Sequence, residues 1–395
     1  MPTIRHLETA QDLEGMLDAT AAAFQPGYLS ARRAFREHQN DPRHRPELSR
    51  ILEVDGAVAS SVRIVDRDFR VGKAVFRLGG IADVATHPDY QKQGYCALLF
   101  KEVVAFMAAE GYDLSLLFGI PNFYHRFGYA TALVPATLTV SAAHLANLPA
   151  AATRPFQEGD LPALSALLEA DLEARACAIV RDEALWRYRG VPNALTVVEQ
   201  EGRPAAYFTA EERKDDLLVR EAVAAGDACR ALVSALGARA AAAGKETIRV
   251  QGVPPDHPVA RCLCLQGARV ELCYERNQGG MMRILRLEDT LRKLLPELQR
   301  RLAASPLGAR STSLGFDTDL GSFGLVCEKG SITLAPAATA QVTLPQWALM
   351  QMMTGFASPG DLLLAGSATA APEAIPWLEA LFPRRWPTAI PTDCF

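Results

Sequence analysis

The clearest alternation of apolar and polar positions lies between residues 81 and 110. Residues 81–86 are apolar and rich in strand-forming side chains, with Asp83 as the one charged interruption. Residues 87–89, His-Pro-Asp, end this strand because proline fixes φ and lacks an N–H donor. Apolar residues then recur at the spacing of one helical face: Leu99, Val103 and Phe106. The pattern predicts a strand, a loop and a helix.

The loop in front of this predicted helix favours an anionic ligand. The first N–H groups of a helix have no partner inside the helix and carry partial positive charge, so they suit a diphosphate. Gly94 lets the backbone come close to such a ligand, and Lys92 adds positive charge. Binding of a nucleoside triphosphate by a P-loop is disfavoured, because the pattern G-x-x-x-x-G-K-[ST] does not occur.

A second informative stretch follows the helix. Residues 114–118 are apolar and predict a buried strand. Pro121 allows a short helix to begin, and Gly128 is placed to end it. The string around it, FYHRFGY, contains two tyrosines. Tyr129 is expected to be a core aromatic, whereas Tyr124 is the candidate for chemistry, with a place in the core as its alternative.

The flanking pattern predicts a mixed α/β unit around these stretches. Strands are expected at residues 4–7, 51–54, 58–65, 73–78 and 131–140, the last closing the unit, and a helix at residues 10–24. Asp55-Gly56 predicts a hairpin turn. Residues 31–50 are rich in arginine, namely Arg32, Arg33, Arg36, Arg43, Arg45 and Arg50. These side chains either form a solvated surface or contact an anionic group of a cofactor or partner subunit.

The middle of the chain repeats the coarse order of the first part. After a linker at residues 147–153, strands are expected at 195–199, 205–209, 217–222 and 248–251, with an alanine-rich helix at 227–243. Residues 224–227, Ala-Ala-Gly-Asp, stand where the first part has its glycine-bearing loop. We therefore expect a related unit that binds no cofactor, or an unrelated α/β domain.

The last hundred residues predict a helix, a small sheet and further short helices. The helix spans residues 287–304, and Pro296 is expected to kink or divide it. The strands are expected at residues 313–317, 323–328 and 331–336. The segment after residue 376 is rich in stiff apolar side chains and ends on Phe395, which predicts docking on the protein rather than a frayed terminus.

Composition bounds the function. The chain has 395 residues, 49% of them hydrophobic, and a formal net charge of −4 at pH 7, which favours a soluble protein without general affinity for nucleic acid. No apolar run predicts a membrane span or a signal peptide, so we expect a cytoplasmic protein. The eight cysteines are expected to be reduced. A zinc site at Cys262 and Cys264 is disfavoured because no C-x-x-C pair occurs, and no metal is expected.

Two motifs resemble those of a known superfamily. Gln91-x-x-Gly94-x-Cys96 resembles the acyl-CoA loop of GNAT N-acetyltransferases, Gln/Arg-x-x-Gly-x-Gly/Ala, with cysteine at the last small position. The string FYHRFGY resembles the second GNAT signature, whose tyrosine faces the thioester sulfur, and the motifs come in the family's order. The whole chain resembles the enhanced intracellular survival (Eis) type: a catalytic GNAT domain at 1–146, a second GNAT-like domain lacking the CoA loop at 147–285, and a sterol carrier protein-like domain at 286–395.

The resemblance implies an N-acetyltransferase that moves acetyl from acetyl-CoA to a primary amine, on an aminoglycoside-like small molecule or a lysine. It implies contacts of acetyl-CoA with Val84, Ala85, Thr86, Gln91, Lys92, Gln93, Gly94, Tyr95, Cys96, Ala97, Gly119 and Ile120. Tyr124 is then the general acid, and the carboxylate of Phe395 at the chain terminus is the general base. The resemblance further implies a homo-oligomer, with a hexamer as one option.

Other functions stay open at this point. The chain could be a non-enzymatic carrier that senses CoA and binds a lipid or sterol in its last domain, or a purely structural assembly protein. A covalent route through Cys96 or Cys394 is disfavoured, since the spacing implies no partner histidine.

Overall fold

The computed structural model describes residues 2–24, 28–188, 195–337 and 339–395. Its strands, in chain order, are β1 Thr3–His6, β2 Ser49–Val54, β3 Ala57–Val71, β4 Ala74–Thr86, β5 Leu114–Gly119, β6 Ala130–Thr131, β7 Ala136–Ser141, β8 Ala152–Pro155, β9 Cys177–Val180, β10 Leu195–Gln200, β11 Arg203–Glu212, β12 Leu217–Ala224, β13 Thr247–Gln251, β14 Arg269–Leu272, β15 Gly279–Ile284, β16 Thr312–Thr318, β17 Gly321–Glu328, β18 Ser331–Ala335, β19 Val342–Thr343 and β20 Thr369–Ala370.

The α-helices, in chain order, are α1 Ala10–Ala23, α2 Tyr28–Glu37, α3 Tyr95–Ala109, α4 Ala142–Leu145, α5 Leu161–Ala174, α6 Glu183–Tyr188, α7 Cys229–Ala242, α8 Pro258–Leu265, α9 Leu287–Ala303, α10 Gln346–Thr354, α11 Pro359–Leu364 and α12 Ile375–Leu381. None of these described helices is long and apolar enough to cross a membrane. The mixed α/β fold expected from the sequence is confirmed.

The first sheet has the strand order β1-β2-β3-β4-β5-β15-β6, and β9 pairs with the far end of β3. Its β4–β5 pair is parallel and its other pairs are antiparallel. The two strands expected at residues 73–78 and 81–86 are one continuous strand, β4. Gly79 and Gly80 do not interrupt it, because neighbouring side chains fill the space above them: Met107 and Tyr112 at Gly79, and Phe395 at Gly80.

A strand exchange links the first sheet to the second. The expectation that residues 131–140 close the first sheet is wrong, because β7 instead lies between β13 and β14 in the second sheet. The chain leaves the first sheet after Thr131, at an irregular segment that contains Pro135, which has no N–H for a strand ladder. In return, β15 pairs with β5. Domain boundaries at residues 146 and 285 therefore stay a prediction.

The second sheet has the order β14-β7-β13-β12-β11-β10-β8 and contains the strands expected between residues 195 and 251. Its helix α7 follows β12 as α3 follows β4. At the start of α7, Ala228 and Cys229 pack into the core of this unit, whereas Gly226 and Asp227 are exposed. The expectation that this unit binds no cofactor stays a prediction.

The C-terminal unit packs on the first sheet. Its sheet has the order β18-β17-β16-β19-β20, and its apolar side chains share one core with those of β4, β5 and β15. Helix α9 runs through Pro296 without division, so the expected division is wrong and a kink stays a prediction. Proline inside a helix costs about 3 kcal/mol. Each buried leucine contributes roughly 1.5–3 kcal/mol, so the buried face of α9 outweighs that cost: Leu291, Leu294, Leu298 and Leu302.

The arginines between residues 31 and 50 are paired within the chain. Carboxylates of the same protein contact all six of them, namely Arg32, Arg33, Arg36, Arg43, Arg45 and Arg50. Cys262 and Cys264 lie on helix α8 rather than on a strand, so they do not share one face. Among the residues that the structure describes, no group of His, Cys, Asp and Glu is arranged to hold a metal ion.

Candidate active site

A cleft opens where β4 and β5 diverge. The parallel pairing of these strands ends at Ile81 and Leu117, although β4 continues to Thr86. Asp83 has a positive φ of 52°, and the register of β4 with β3 shifts beside it. Such a bulge twists its strand away from the neighbour. The result is a cavity of about 730 Å³ between β4, β5 and the start of α3.

The backbone of β4 presents hydrogen-bonding groups to this cavity. The N–H of His87 donates to the carbonyl of Ala59 on β3, at 3.0 Å. Because hydrogen-bonded pairs alternate along an antiparallel ladder, Ala85 also faces β3, and the N–H of Thr86 points away from β3. Val84, Ala85 and Thr86 all line the cavity. Backbone donors in this position suit an amide-bearing arm or a polarised carbonyl.

The start of α3 forms one end of the cavity. Gly94 is the N-cap with φ 80°, and no described side chain caps this helix. The first N–H groups, those of Tyr95, Cys96 and Ala97, precede the first intrahelical bond, in which Leu98 donates to the carbonyl of Gly94. A Cβ on Gly94 would meet nothing within 4 Å, so the space above it is open. This open helix start fits the diphosphate of CoA.

The rest of the loop surrounds that helix start. Gln91 donates from Nε2 to the carbonyl of Thr86 at 3.4 Å, which ties the loop to the end of β4. Lys92 is exposed, lines the cavity and has φ 63°. Gln93 is exposed and does not line the cavity. Arg126, which the sequence did not single out, adds a second cation to the wall.

Tyr124 lies at the other side of the opening, at the start of a short 3₁₀ helix, Tyr124–Phe127, which ends at Gly128 as predicted. Its ring packs against Phe100 and Phe123 at centroid distances of 5.3 and 4.9 Å. Gly119 makes room for it, because a Cβ there would lie 2.7 Å from Cδ2 of Tyr124. Gly119 does not line the cavity, so its contribution is to position the tyrosine.

The ionisation of the phenol suits a proton donor. Burial raises the pKa of Tyr124 above its usual value, and the nearby Cys96 adds to the shift. The hydroxyl is therefore protonated at neutral pH. Burial also raises the pKa of the Cys96 thiol, so Cys96 is protonated as well. Tyr129 is fully buried and donates to Oγ of Ser115 at 2.7 Å, which makes it the core residue that was predicted.

The chain terminus reaches the same cavity. The ring of Phe395 lies over Gly80 of β4 and meets Phe118 of β5 edge to face, with centroids 5.8 Å apart. Upstream, the N–H of Val134 donates to the carbonyl of Pro387 at 2.6 Å. The docking of this apolar tail, predicted from its composition, is confirmed.

A buried charged cluster anchors the tail to the second unit. Arg181 donates from Nε to Asp393 at 2.6 Å and from both terminal nitrogens to Glu221 at 2.8 Å. Thr392 donates to Glu221 as well, and Tyr207 does so at 2.8 Å. Arg181 and Glu221 are 1% and 0% exposed at their side chains, so water does not screen the pair. The contacts of Thr392 and Asp393 therefore hold the tail in place just before Phe395.

Asp83 is a charged group of the cavity wall that the sequence marked only as an interruption of an apolar strand. It accepts from Arg63 Nε at 2.6 Å and contacts His38 Nδ1 at 3.1 Å. Burial alone would raise the pKa of Asp83, but the hydrogen bond to His38 and the charge of Arg63 outweigh burial and lower it. Asp83 is thus ionised at neutral pH.

The cavity brings together most of the predicted site residues: Val84, Ala85, Thr86, Gln91, Lys92, Gly94, Tyr95, Cys96, Ala97, Ile120, Tyr124 and Phe395. Gln93 and Gly119 are the two that do not line it. The sequence analysis missed several lining residues, most of them aromatic: Phe24, Phe35, Asp83, Tyr90, Phe118, Phe123 and Arg126. Phe24 and Phe35 come from α1 and α2, and no local signal connects those helices to the loop before α3.

Comparisons with known proteins agree with this geometry. Residues 3–132 match the acetyltransferase (GNAT) domain family. No curated protein sequence matches the chain. The fold resembles a GCN5-related N-acetyltransferase from Anabaena variabilis (TM-score 0.79, 17% identity), a probable N-acyltransferase from Enterococcus faecalis (0.78, 18%) and Eis1 from Mycobacterium abscessus (0.67, 18%), each match covering 100% of both chains.

At these identities the solved structures support the fold alone, and the domain match supports the chemistry. Proteins of the GNAT family use acetyl-CoA as co-substrate and act on amines. The chain therefore contains a GNAT acetyltransferase domain at residues 3–132, within a fold that these solved structures share over their whole length.

Proposed function

We propose that the protein is an acetyl-CoA-dependent N-acetyltransferase that moves acetyl directly to a primary amine, with Tyr124 as general acid and the carboxylate of Phe395 as general base. One observation carries this proposal: a single cavity joins the open start of α3, the Tyr124 side chain and the end of the chain. The start of α3 binds the diphosphate, and the N–H groups of Val84 and Thr86 orient the arm and its carbonyl.

The reaction needs two proton movements. The acceptor ammonium loses a proton to the Phe395 carboxylate, directly or through water, and the free amine then attacks the thioester carbonyl. A C–N bond forms, the C–S bond breaks, and the phenol of Tyr124 protonates the departing thiolate. The raised pKa of Tyr124 keeps its proton available at neutral pH. A covalent intermediate on Cys96 is disfavoured, because burial keeps that thiol protonated.

The architecture forms part of the same proposal. We assign the chain to the Eis type, with a catalytic GNAT domain, a second GNAT-like domain without a CoA loop and a sterol carrier protein-like domain, in a cytoplasmic homo-oligomer. Support comes from the order of elements in the second sheet and from the full-length likeness to Eis1. The rival function as a lipid carrier is disfavoured, because the apolar side chains of the C-terminal unit share one core with those of the first sheet.

The test measures product formation from acetyl-CoA and a panel of amines. The products are detected by mass spectrometry rather than with thiol reagents, because Cys264 and Cys273 are exposed and would react with such reagents. Tyr124→Phe should lower kcat by about 10²–10⁴ while the Kd for acetyl-CoA stays unchanged. Tyr274→Phe is the matched control, since Tyr274 is exposed and does not line the cavity. Full activity in both Tyr124→Phe and a chain lacking Phe395 would refute the assigned roles.

A further inference from the structure

The part of the cavity on the side of α1, α2 and the tail is lined by four phenylalanine rings and one isoleucine, which we call the acceptor wall: Phe24, Phe35, Phe118, Ile120 and Phe395. The ring centroids of Phe24 and Phe35 lie 5.3 Å apart, and those of Phe118 and Phe395 lie 5.8 Å apart. Three members are unusually exposed for their size, with Phe24 at 50%, Phe118 at 38% and Ile120 at 62%. Packing of the fold leaves these side chains open, so the wall can contact an apolar ligand.

The charges around the acceptor wall are few. Asp83 is the one acidic side chain among the described residues that line the cavity, and Arg63 already pairs with it. Under the proposed function, the carboxylate of Phe395 is the second carboxylate. The lining cations, Lys92 and Arg126, come from the loop before α3 and from the segment that carries Tyr124. The cavity therefore offers charge compensation for about one ammonium and not for several.

We propose that the natural acceptor is a primary monoamine whose amino group is carried on an aromatic or cyclic apolar body, rather than a polycation or a lysine side chain of a protein. This inference rests on the proposed function. The acceptor wall removes the apolar body from water, and its ring faces attract the ammonium. A polycation would bring several ammonium groups into a cavity without carboxylates to pair with them, which is strongly unfavourable.

The first experiment compares acceptors that differ in one property. Initial rates are measured with phenylethylamine, with ethylamine as the same amine without the ring, with kanamycin as a polycation, and with a lysine peptide. Burial of a phenyl ring predicts a kcat/KM for phenylethylamine about tenfold to hundredfold above that for ethylamine. Kanamycin and the lysine peptide should fall below phenylethylamine by at least about tenfold.

Variants connect this selectivity to the wall. Phe24→Ala removes a ring that is half exposed, so folding is expected to tolerate it. It should lower the ratio of kcat/KM for phenylethylamine to kcat/KM for ethylamine about fivefold or more, a change in selectivity that a loss of folded protein cannot produce. Leu364→Ala is the control, because Leu364 is 90% exposed and outside the cavity.

The outcomes separate the two proposals. Preference for kanamycin or the peptide overturns the acceptor class and leaves the acetyltransferase proposal standing. The same holds if phenylethylamine and ethylamine react equally well. Binding of acetyl-CoA without acetylation of any of the four amines overturns both proposals.

Discussion

Replacing Gly80 with alanine is expected to displace the chain terminus from the cavity. Gly80 sits inside β4, between Val65 of β3 and Leu116 of β5. A Cβ at this position would lie 2.6 and 2.9 Å from Cε2 and Cε1 of Phe395, and closer still to Cζ. Ordinary contacts between carbon atoms begin at about 3.5 Å, so the ring of Phe395 has to move by roughly 1 Å. Overpacking of this kind costs about 1–3 kcal/mol.

The tail takes up this strain more readily than the sheet, because β4 is bonded on both sides, whereas Phe395 belongs to no strand or helix. A displacement of a catalytic group by about 1 Å can cost about 10²-fold in rate. Gly80→Ala should therefore lower kcat by roughly tenfold to hundredfold. The Kd for acetyl-CoA, measured by calorimetry, should stay within about twofold, since the start of α3 is untouched.

Two further variants make the test specific. Phe395→Ala keeps the terminal carboxylate but removes the ring, so adding Gly80→Ala to it should cause little further loss in kcat. Gly79→Ala is the matched control, because its Cβ would point to the other face of β4 and overlap Met107 and Tyr112. The reasoning is wrong if Gly80→Ala costs as much in the Phe395→Ala background as alone, or if Gly79→Ala lowers kcat equally.

Three other predictions concern the cofactor loop, the anchor of the tail and pH. Gly94→Ala forces alanine to φ 80°, at a cost of about 1–2 kcal/mol, and should raise the Kd for acetyl-CoA about 5- to 30-fold. The control Gly56→Ala, at φ 82° in a hairpin, should leave this Kd unchanged. Equal effects of the two substitutions would contradict the role of the loop. Arg181→Met removes the cation that pairs with the buried carboxylates of Glu221 and Asp393. It should lower the free energy of unfolding, measured by urea titration, by about 3–5 kcal/mol. A loss below ~1 kcal/mol would refute the stabilising role of Arg181. Arg181 lowers the pKa of Glu221 against the opposing effect of burial. Glu221 therefore contributes to the free energy of unfolding above its unfolded pKa of about 4.3, and this contribution is lost as pH falls through the lower folded pKa. Urea titrations should show stability declining below about pH 4, and a flat profile would contradict the prediction.

The local parts of the site could be predicted from the sequence because short-range rules determine them. A proline ends β4 near His87, Gly94 adopts positive φ at the start of α3, and Gly128 ends the helix that carries Tyr124. The strands of the C-terminal unit were also predicted from the sequence. Each of these features depends on residues that lie close together in the chain.

The remaining features depend on long-range contacts. The exchange of β7 and β15 between the two sheets depends on pairing partners that lie far away in the chain, and the apolar positions of each strand do not identify its partner. Phe24 and Phe35 reach the cavity only through the packing of α1 and α2. Pro296 does not divide α9, because its local cost is smaller than the gain from the buried face of the helix.

The most direct measurement is a crystal structure of the protein with bound CoA. The diphosphate should lie on the N–H groups at the start of α3, around Gly94, and the sulfur should lie within about 3–4 Å of the Tyr124 hydroxyl, close enough for a hydrogen bond. CoA bound elsewhere, or a sulfur beyond about 6 Å from that hydroxyl, would contradict the proposed mechanism.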